Sequence, residues 1–189
     1  LILGAGGIGG YYGGRLAAAG VDVTFLVRPR RAAVLAEHGL VIKSPFGDLT
    51  QKVNTVTADT VRPGYDAIIM SCKAYDLEDA IAAIRPAAPG ALILPQLNGM
   101  AHIDRLDAEF SRDQVLGGVA GIAVTLTADG QVHHLNKLAT FVTGPRSKAA
   151  EAECAALAAE LGKGGFDFRN SADIVQDMWE KWVFLCSLA

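Results

Sequence analysis

The chain has 189 residues, of which 51% are hydrophobic and 20% are charged, and its formal net charge is −3 at pH 7. These values are typical of a soluble globular protein with one well-buried domain and the start of another. They exclude a protein that attracts nucleic acid or an anionic membrane through its net charge, and no apolar run reaches the roughly 20 residues of a membrane helix.

The first part of the chain alternates short apolar strands with amphipathic helices. Strands are predicted at residues 1–4, 21–27, 66–72 and 91–94, and helices at 8–19, 30–38, 77–84 and 101–110. Residues 40–43 and 51–57 are predicted as a strand pair around the turn 44–48. The strand at 66–72 is apolar almost throughout, as expected when both of its faces are covered. This alternation predicts an α/β domain with a parallel sheet and right-handed crossovers.

The pattern changes after residue 110. Strands are predicted at 115–126, 131–135 and 140–143, joined by short turns such as 128–130, which favours antiparallel strands that finish the sheet. A long helix at 148–161 and a short strand at 166–168 follow. Asn170 or Ser171 is then expected to cap a last helix, from about residue 172 to the chain end. We place the domain boundary near Asn170, between residues 1–169 and 170–189.

A glycine-rich segment, Leu-Gly-Ala-Gly-Gly-Ile-Gly at residues 3–9, joins the first strand to the first helix. In this context G-x-G-x-x-G is the motif of dinucleotide-binding Rossmann domains. Gly4 permits the tight turn, Gly6 lets the backbone approach a pyrophosphate, and Gly9 lets the helix pack closely on the strand. The alternative is a glycine-rich turn without a ligand. We predict a Rossmann-type domain whose cofactor contacts Gly4, Ala5, Gly6, Gly7, Ile8 and Gly9.

The end of the second strand indicates which dinucleotide binds. An NAD-preferring site usually places an acid there for the ribose 2′-hydroxyl, but residues 23–36 contain no Asp or Glu. Arg28, Arg30 and Arg31 lie there instead, and a guanidinium can bind a 2′-phosphate bidentately. The alternative is a solvated basic turn. The pattern predicts NADP(H) rather than NAD(H).

Three polar residues follow later strands or lie on the last helix. Lys73 directly follows the strand at 66–72, and Asn98 follows the strand that ends at residue 94. Open α/β sheets bind ligands at these carboxyl ends; the alternatives are a solvated lysine and a turn or helix-cap asparagine. Lys181 lies in an otherwise apolar helix. It either extends its ammonium to water or, if desolvated, acts as a proton donor.

The cysteines, Cys72, Cys154 and Cys186, are far apart and show no metal-ligand or CxxC spacing. Such cysteines indicate buried free thiols in a reducing compartment, so we expect a cytoplasmic protein. We expect no metal site. Because Leu1 already lies in a strand, we also expect the natural chain to begin earlier.

Five segments occur in the order found in a known family. They are the glycine motif, the strand end Phe25-Leu26-Val27-Arg28, Cys72-Lys73-Ala74-Tyr75-Asp76, Leu97-Asn98-Gly99-Met100 and Trp179-Glu180-Lys181. Together they resemble the ketopantoate reductases (2-dehydropantoate 2-reductases). The resemblance extends from end to end of this chain, which corresponds to about the first three fifths of a family member. It implies NADPH-dependent reduction of a 2-oxo acid, giving pantoate on the route to pantothenate and coenzyme A.

The resemblance also implies roles by position. The glycine loop would hold the pyrophosphate, Arg28 the 2′-phosphate, and Lys73 would lie beside the cofactor. Asn98 would lie where cofactor and substrate meet. Lys181 would bind the substrate with Asn98 and protonate the carbonyl oxygen as the general acid. A cation suits this position, because it stabilises an alkoxide that forms in a dry cleft.

Departures from the family pattern leave the substrate open. Family members commonly carry asparagines four and eight residues beyond the catalytic lysine, where this chain has Leu185 and Ala189, and Asp76 stands where Gln is frequent. Apolar groups cannot replace two hydrogen bonds to a hydroxy acid. Two alternatives therefore remain: a reductase of a different, less polar 2-oxo acid, and a catalytically silent NADP(H) sensor.

The last helix is apolar on nearly every face, which is typical of a helix inside a core. The resemblance implies that residues 170–189 form the first helix of a C-terminal helical substrate domain. Either that domain or a second subunit of a homodimer is expected to cover the helix.

Overall fold

The computed structural model describes residues 1–188, and one of its two layers is a five-stranded parallel sheet. Every neighbouring pair of strands in this sheet is parallel, so their carboxyl ends share one edge. The predicted parallel sheet is confirmed. Its strands are β1 (Ile2–Leu3), β2 (Thr24–Leu26), β5 (Asn54–Val56), β6 (Ala67–Met70) and β7 (Leu92–Pro95), in the order β5-β2-β1-β6-β7.

Four helices follow strands of this sheet, and their bounds lie within one residue of those predicted. Alternate side chains of β6 enter opposite cores: Ala67 and Ile69 join one core, whereas Ile68 and Met70 join the other. Covering both faces explains why the strand is apolar almost throughout. The helices are α1 (Gly7–Ala18), α2 (Pro29–His38), α3 (Leu77–Ile84) and α4 (Ala101–Phe110).

Glycines let α1 lie between the two layers. A Cβ on Gly13 would stand 2.5 Å from Ile2 Cδ1 and 2.7 Å from the Phe25 ring, in the parallel sheet. A Cβ on Gly14 would stand 2.6 Å from Ile42 Cδ1, in the other layer. Protein interiors are close-packed, so a side chain at either position would force the layers apart.

The second layer is a mixed sheet around a hairpin. The predicted antiparallel strands are present, but among residues 1–188 a single bridge, between Ile93 and Val115, joins this part of the chain to the parallel sheet. The strands predicted at 131–135 and 140–143 form one continuous strand. The layer consists of β3 (Leu40–Lys43), β4 (Leu49–Gln51), β8 (Gly117–Leu126), β9 (Val132–Gly144) and β10 (Asp167–Asn170), in the order β10-β9-β3-β4, with β8 antiparallel to β9.

The strand predicted at residues 51–57 is wrong as a single element. Its first part belongs to β4, which pairs antiparallel with β3, whereas β5 pairs parallel with β2 in the other sheet. The chain changes layers at residues 52–53. Local alternation predicts that a segment is extended, but not which strand it pairs with.

The last helices are α5 (Glu151–Leu161) and α6 (Ile174–Leu188). Asp173 caps α6, because its Oδ1 accepts the N–H of Gln176 at 3.2 Å. The predicted cap at Asn170 or Ser171 is therefore wrong; Ser171 Oγ accepts the N–H of Asp173 instead.

The amino-terminal part of α6 packs on the second layer. Ile174 and Met178 are buried in a small core with Ile103 and Val142. Within residues 1–188 no helix combines the length and the apolar character needed to cross a bilayer.

The three cysteines are free thiols. Cys154 is buried as expected, but Cys72 is only half-buried and Cys186 is exposed. The expectation of buried thiols is therefore wrong for Cys186, which lies on the side of α6 that this chain leaves uncovered.

Candidate active site

Four of the predicted segments follow four neighbouring strands of the parallel sheet. Arg28 follows β2, the glycine loop (residues 4–9) follows β1, Lys73 follows β6 and Asn98 follows β7. The ends of these strands are in register. Because neighbouring strands lie about 4.8 Å apart, the four segments are spread over about 14 Å of one sheet edge.

The glycine loop has the geometry that its motif predicts. Gly4 has a φ of +90°, in the left-handed region that favours glycine, and its N–H donates to Leu26 O at 2.9 Å. A Cβ on Gly9 would overlap the Gly4 carbonyl oxygen and Ser71 Oγ. Ser71 Oγ in turn donates to Leu3 O at 2.9 Å. Gly9 therefore packs against a strand end that leaves no room for a side chain.

Gly6 is different, because a Cβ there would meet no atom within 4 Å. Its φ of −84° does not require glycine either, so its missing side chain leaves open space in front of α1. The first N–H groups of a helix lack partners within the helix. No side chain caps them here, and the first turn of α1 carries no acid. These features fit a bound pyrophosphate.

The three arginines after β2 do not form one basic turn. Arg28 and Arg30 are exposed, and Arg28 Nη2 lies 3.4 Å from Asp76 Oδ1. Arg31 is instead turned inward, because its Nε donates to Ala5 O at 3.0 Å and its Nη1 to Gly130 O at 2.7 Å. The alternative of a solvated basic turn is therefore wrong for Arg31.

Lys73 and Asn98 are both exposed at the sheet edge. The Lys73 ammonium makes no hydrogen bond or ion pair with any residue from 1 to 188. Asn98 does not cap a helix, since α4 begins at Ala101 without a side-chain cap. The helix-cap alternative for Asn98 is therefore wrong, and both side chains remain available to a ligand.

Lys181 reaches the second layer rather than water. Its Nζ donates to Ala120 O, a buried carbonyl of β8, at 2.7 Å. Burial lowers the pKa of this ammonium below the ordinary lysine value. The alternative of a lysine that extends to solvent does not describe this side chain.

Lys181 lies beside the loop that carries Asn98. A cavity of about 10 Å³, close to the size of one water molecule, is lined by Lys181 and by residues of that loop. A Cβ on Gly99 would stand 3.6 Å from Trp182 Cζ3, so the helix and the loop are in contact. The lining residues are Leu97, Gly99, Gly118, Val119, Met178, Lys181 and Trp182.

The strand β8 links Lys181 to the glycine loop. Ala120 accepts the Lys181 hydrogen bond, and Val124, four residues along, lies against the loop. A Cβ on Gly7 would stand 3.1 Å from Val124 Cγ2 and 3.3 Å from Val124 O. Four residues of strand extend about 13 Å, so β8 separates the lysine from the helix terminus by a fixed length.

Sequence reasoning missed four contributors to this arrangement. Ser71 supports the glycine loop, Asp76 pairs with Arg28, Ala120 holds Lys181, and Trp182 covers Gly99. A serine near the end of the apolar strand predicted at 66–72 was an available signal for Ser71. The Ala120 contact uses a backbone carbonyl, which has no sequence signature.

Comparison with known proteins identifies the family. Residues 1–148 match the family described as ketopantoate reductase PanE/ApbA. The chain belongs to the ketopantoate reductase family. It is 37% identical to the uncharacterized oxidoreductase YkpB of Bacillus subtilis (strain 168), over 100% of this chain and 62% of that protein. It is 29% identical to the 2-dehydropantoate 2-reductase of Pyrococcus abyssi (strain GE5 / Orsay), over 96% of this chain and 59% of that one.

A solved structure shows the same fold. The crystal structure of 2-dehydropantoate 2-reductase from Geobacter metallireducens GS-15 aligns with a TM-score of 0.87 and 30% identity. The alignment covers 97% of this chain and 62% of that chain. The chain thus spans about three fifths of the length of these relatives. This match confirms the family that the sequence resembles.

Proposed function

We propose that this chain contains the cofactor site and the proton donor of an NADPH-dependent reductase of a 2-oxo acid. The substrate that we favour is 2-dehydropantoate, which would place the protein in pantothenate and coenzyme A synthesis in the cytoplasm. The observation that carries the proposal is the Lys181 ammonium, which is desolvated, held by Ala120 O and adjacent to the loop that carries Asn98.

We assign cofactor binding to the sheet edge. The open N–H groups at Gly6, Gly7 and Ile8 would bind the pyrophosphate, while Gly4 and Gly9 hold the loop in shape. Arg28 would bind the 2′-phosphate through its guanidinium. Lys73 would add positive charge beside the cofactor. The bound NADPH supplies the hydride.

Lys181 would supply the proton. Its bond to Ala120 O fixes where Nζ lies, and its lowered pKa lets it release a proton more readily than an exposed lysine does. Before transfer, the ammonium would stabilise the negative charge that develops on the carbonyl oxygen. The exposed amide of Asn98 would hydrogen-bond the substrate beside it.

We also propose that residues 170–189 begin a helical substrate domain. The supporting observation is that α6 buries only its first turns, while Trp179, Val183, Phe184 and Leu188 are exposed. The relatives named above are longer than this chain, which leaves room for such a domain.

A second candidate substrate class is supported by Leu185. It lies one helical turn beyond Lys181, on the same side of α6, and it is half-buried. An apolar side chain there favours a 2-oxo acid less polar than 2-dehydropantoate. The other position that departs from the family pattern, Ala189, lies outside the described residues.

The test is NADPH oxidation by the full-length protein, followed by loss of NADPH absorbance, with 2-dehydropantoate and with 2-oxo acids that carry purely apolar side chains. The highest kcat/KM for 2-dehydropantoate supports the favoured substrate, and the highest value for an apolar acid supports the second. A protein that binds NADPH tightly but reduces none of them would be a cofactor sensor, and the enzyme proposal would fail.

A further inference from the structure

Arg31 connects the glycine loop to a distant turn of the second layer. Its Nε donates to Ala5 O, 26 residues away, and its Nη1 donates to Gly130 O, 99 residues away, in the turn between β8 and β9. The side chain is half-buried, and Nη2 is buried without a hydrogen-bond partner among residues 1–188. An arginine on a solvated turn would not be expected to have its guanidinium enclosed in this way.

Both acceptors are backbone carbonyls, so the contact restrains the main chain at Ala5 and at Gly130. Ala5 lies between Gly4 and Gly6, the residues that turn the chain and open space for a pyrophosphate. Gly-rich backbone is conformationally permissive, and the bond from Arg31 to Ala5 O restricts this loop in addition to the Gly4 bond to Leu26 O. Arg31 provides two bonds from a planar guanidinium, and a planar donor restricts both position and orientation.

The far end of the contact is equally specific. Gly130 has a φ of +84°, and a Cβ there would stand 2.7 Å from Arg31 Nη1. The turn that contains Gly130 closes the hairpin whose first strand, β8, holds Lys181 through Ala120. Arg31 thereby connects the glycine loop to the turn of the hairpin whose first strand binds the proton donor.

We propose that Arg31 is a positioning residue for the cofactor: it fixes the glycine loop against the β8–β9 turn, and dinucleotide binding depends on it whether or not a 2′-phosphate is present. This inference rests on the proposed function of the loop as the pyrophosphate site. It separates Arg31 from Arg28, whose proposed contact is with the 2′-phosphate alone.

The first experiment measures dissociation constants of NADPH and NADH for the full-length protein and for Arg31→Ala. Loss of two charge-assisted bonds that preorganise the loop should weaken both cofactors about tenfold, by the same factor. Arg31→Lys keeps the charge but cannot make both bonds, so it should restore only part of the affinity. Arg30→Ala, at the exposed neighbouring position, is the control and should change neither constant.

Steady-state kinetics distinguish a positioning role from a general loss of protein stability, because they measure KM and kcat separately. The KM for NADPH should rise about tenfold in Arg31→Ala, while kcat at saturating cofactor stays within a few fold, because a bound cofactor restores the shape of the loop. A loss of kcat with unchanged KM would overturn the positioning role.

A second experiment uses Gly130→Ala, with Gly20→Ala as the matched control. Both glycines have a φ of +84°, so both variants carry the same backbone strain, but a Cβ on Gly20 would meet no atom within 4 Å. Only Gly130→Ala should weaken both cofactors. In the Arg31→Ala background, Gly130→Ala should add little further loss, because only its milder contact with Val34 Cγ1, at 3.1 Å, then remains.

The outcomes separate this inference from the proposed function. A wild-type protein that binds neither dinucleotide would overturn both. Wild-type binding with unchanged affinities in Arg31→Ala would overturn the inference alone. Selective loss of NADPH in Arg31→Ala would also overturn it, because Arg31 would then contact the 2′-phosphate directly.

Discussion

Arg28 and Arg30 are both exposed after β2, yet only Arg28 lies close enough to another charged group, Asp76, to form an ion pair. Exposed pairs of this kind contribute about 1 kcal/mol or less, so a phosphate can displace the carboxylate. The sequence signal at this position was the absence of Asp and Glu from residues 23–36, which can be recognised without a structure.

Arg28→Ala should weaken NADPH binding roughly 10- to 100-fold and leave NADH binding nearly unchanged. The reason is that a charge-assisted contact to phosphate contributes on the order of 1.5–3 kcal/mol, and NADH lacks that phosphate. Titration calorimetry with both cofactors measures the effect, and Arg30→Ala removes the same charge from the same turn as a control. Equal losses for both cofactors would contradict the assignment.

Lys181→Ala should lower kcat by ~10²–10⁴-fold in the full-length protein, with NADPH affinity within a few fold of wild type. Lys181→Arg is the matched variant, because it keeps the positive charge but does not release a proton near neutral pH. It should also be inactive. A variant that retains more than about a tenth of kcat, equivalent to about 1.4 kcal/mol in barrier, would show that Lys181 is not the acid.

The pH dependence of kcat follows from the same side chain. A general acid must be protonated, and burial lowers the pKa of Lys181. The rate should therefore fall as pH rises through this lowered pKa, at a lower pH than an exposed lysine would produce. A rate that stays constant up to the ordinary lysine pKa would contradict this interpretation.

At the scale of elements, α1 and the loop before it use glycine in two ways that sequence inspection cannot separate. Gly6 faces open space, whereas Gly13 packs closely against Ile2 and Phe25 of the parallel sheet. The missing side chain at Gly6 leaves space that a ligand can occupy, whereas the missing side chain at Gly13 leaves room for the packed sheet. The glycine-rich segment looks uniform in the sequence, but its residues differ in what a side chain would meet.

Gly13→Ala should lower the free energy of unfolding by about 1–3 kcal/mol through overpacking, with cofactor affinity little changed in the protein that remains folded. Gly6→Ala should instead lower the free energy of unfolding by less than about 1 kcal/mol, while NADPH and NADH both bind at least tenfold more weakly. Urea unfolding and fluorescence titration measure the two quantities. Similar stability losses in both variants would refute the distinction.

At the scale of the whole molecule, α6 exposes a run of large apolar side chains. Ile174 and Met178 are buried, but Val183, Phe184 and Leu188 are each at least 60% exposed. An apolar surface of this kind is a site of association in soluble proteins. The segments assigned to the cofactor, in contrast, all follow strands of the parallel sheet, which is formed by residues 1–188 alone.

Residues 1–189 alone should therefore bind NADPH, self-associate or bind a hydrophobic dye, and fail to reduce a 2-oxo acid. Val183→Glu should reduce self-association, while Ala172→Glu, which adds the same charge at an exposed residue outside the helix, should not. Sedimentation equilibrium and dye fluorescence measure this. A monomeric fragment that binds no dye and turns over 2-dehydropantoate would show that no further domain is needed.

The sequence by itself determined the helices, four of the five parallel strands and the glycine loop, because these depend on local properties. Alternation of apolar residues defines strands, and a strand followed by Gly4, Gly6 and Gly9 defines a phosphate-binding turn. The absence of acids after β2 needs no folded partner to be recognised. Each of these signals lies within a few consecutive residues.

Only the tertiary structure decided that residues 49–51 and 54–56 enter different sheets, that Arg31 is enclosed rather than solvated, and that Lys181 is held by Ala120. The Arg31 and Lys181 contacts join residues 26, 99 and 61 positions apart, and each ends on a backbone carbonyl. Every residue carries such a carbonyl, so no residue type marks the acceptor. The acceptor is determined by the fold, which places one carbonyl, and not its neighbours, within hydrogen-bond distance of the side chain.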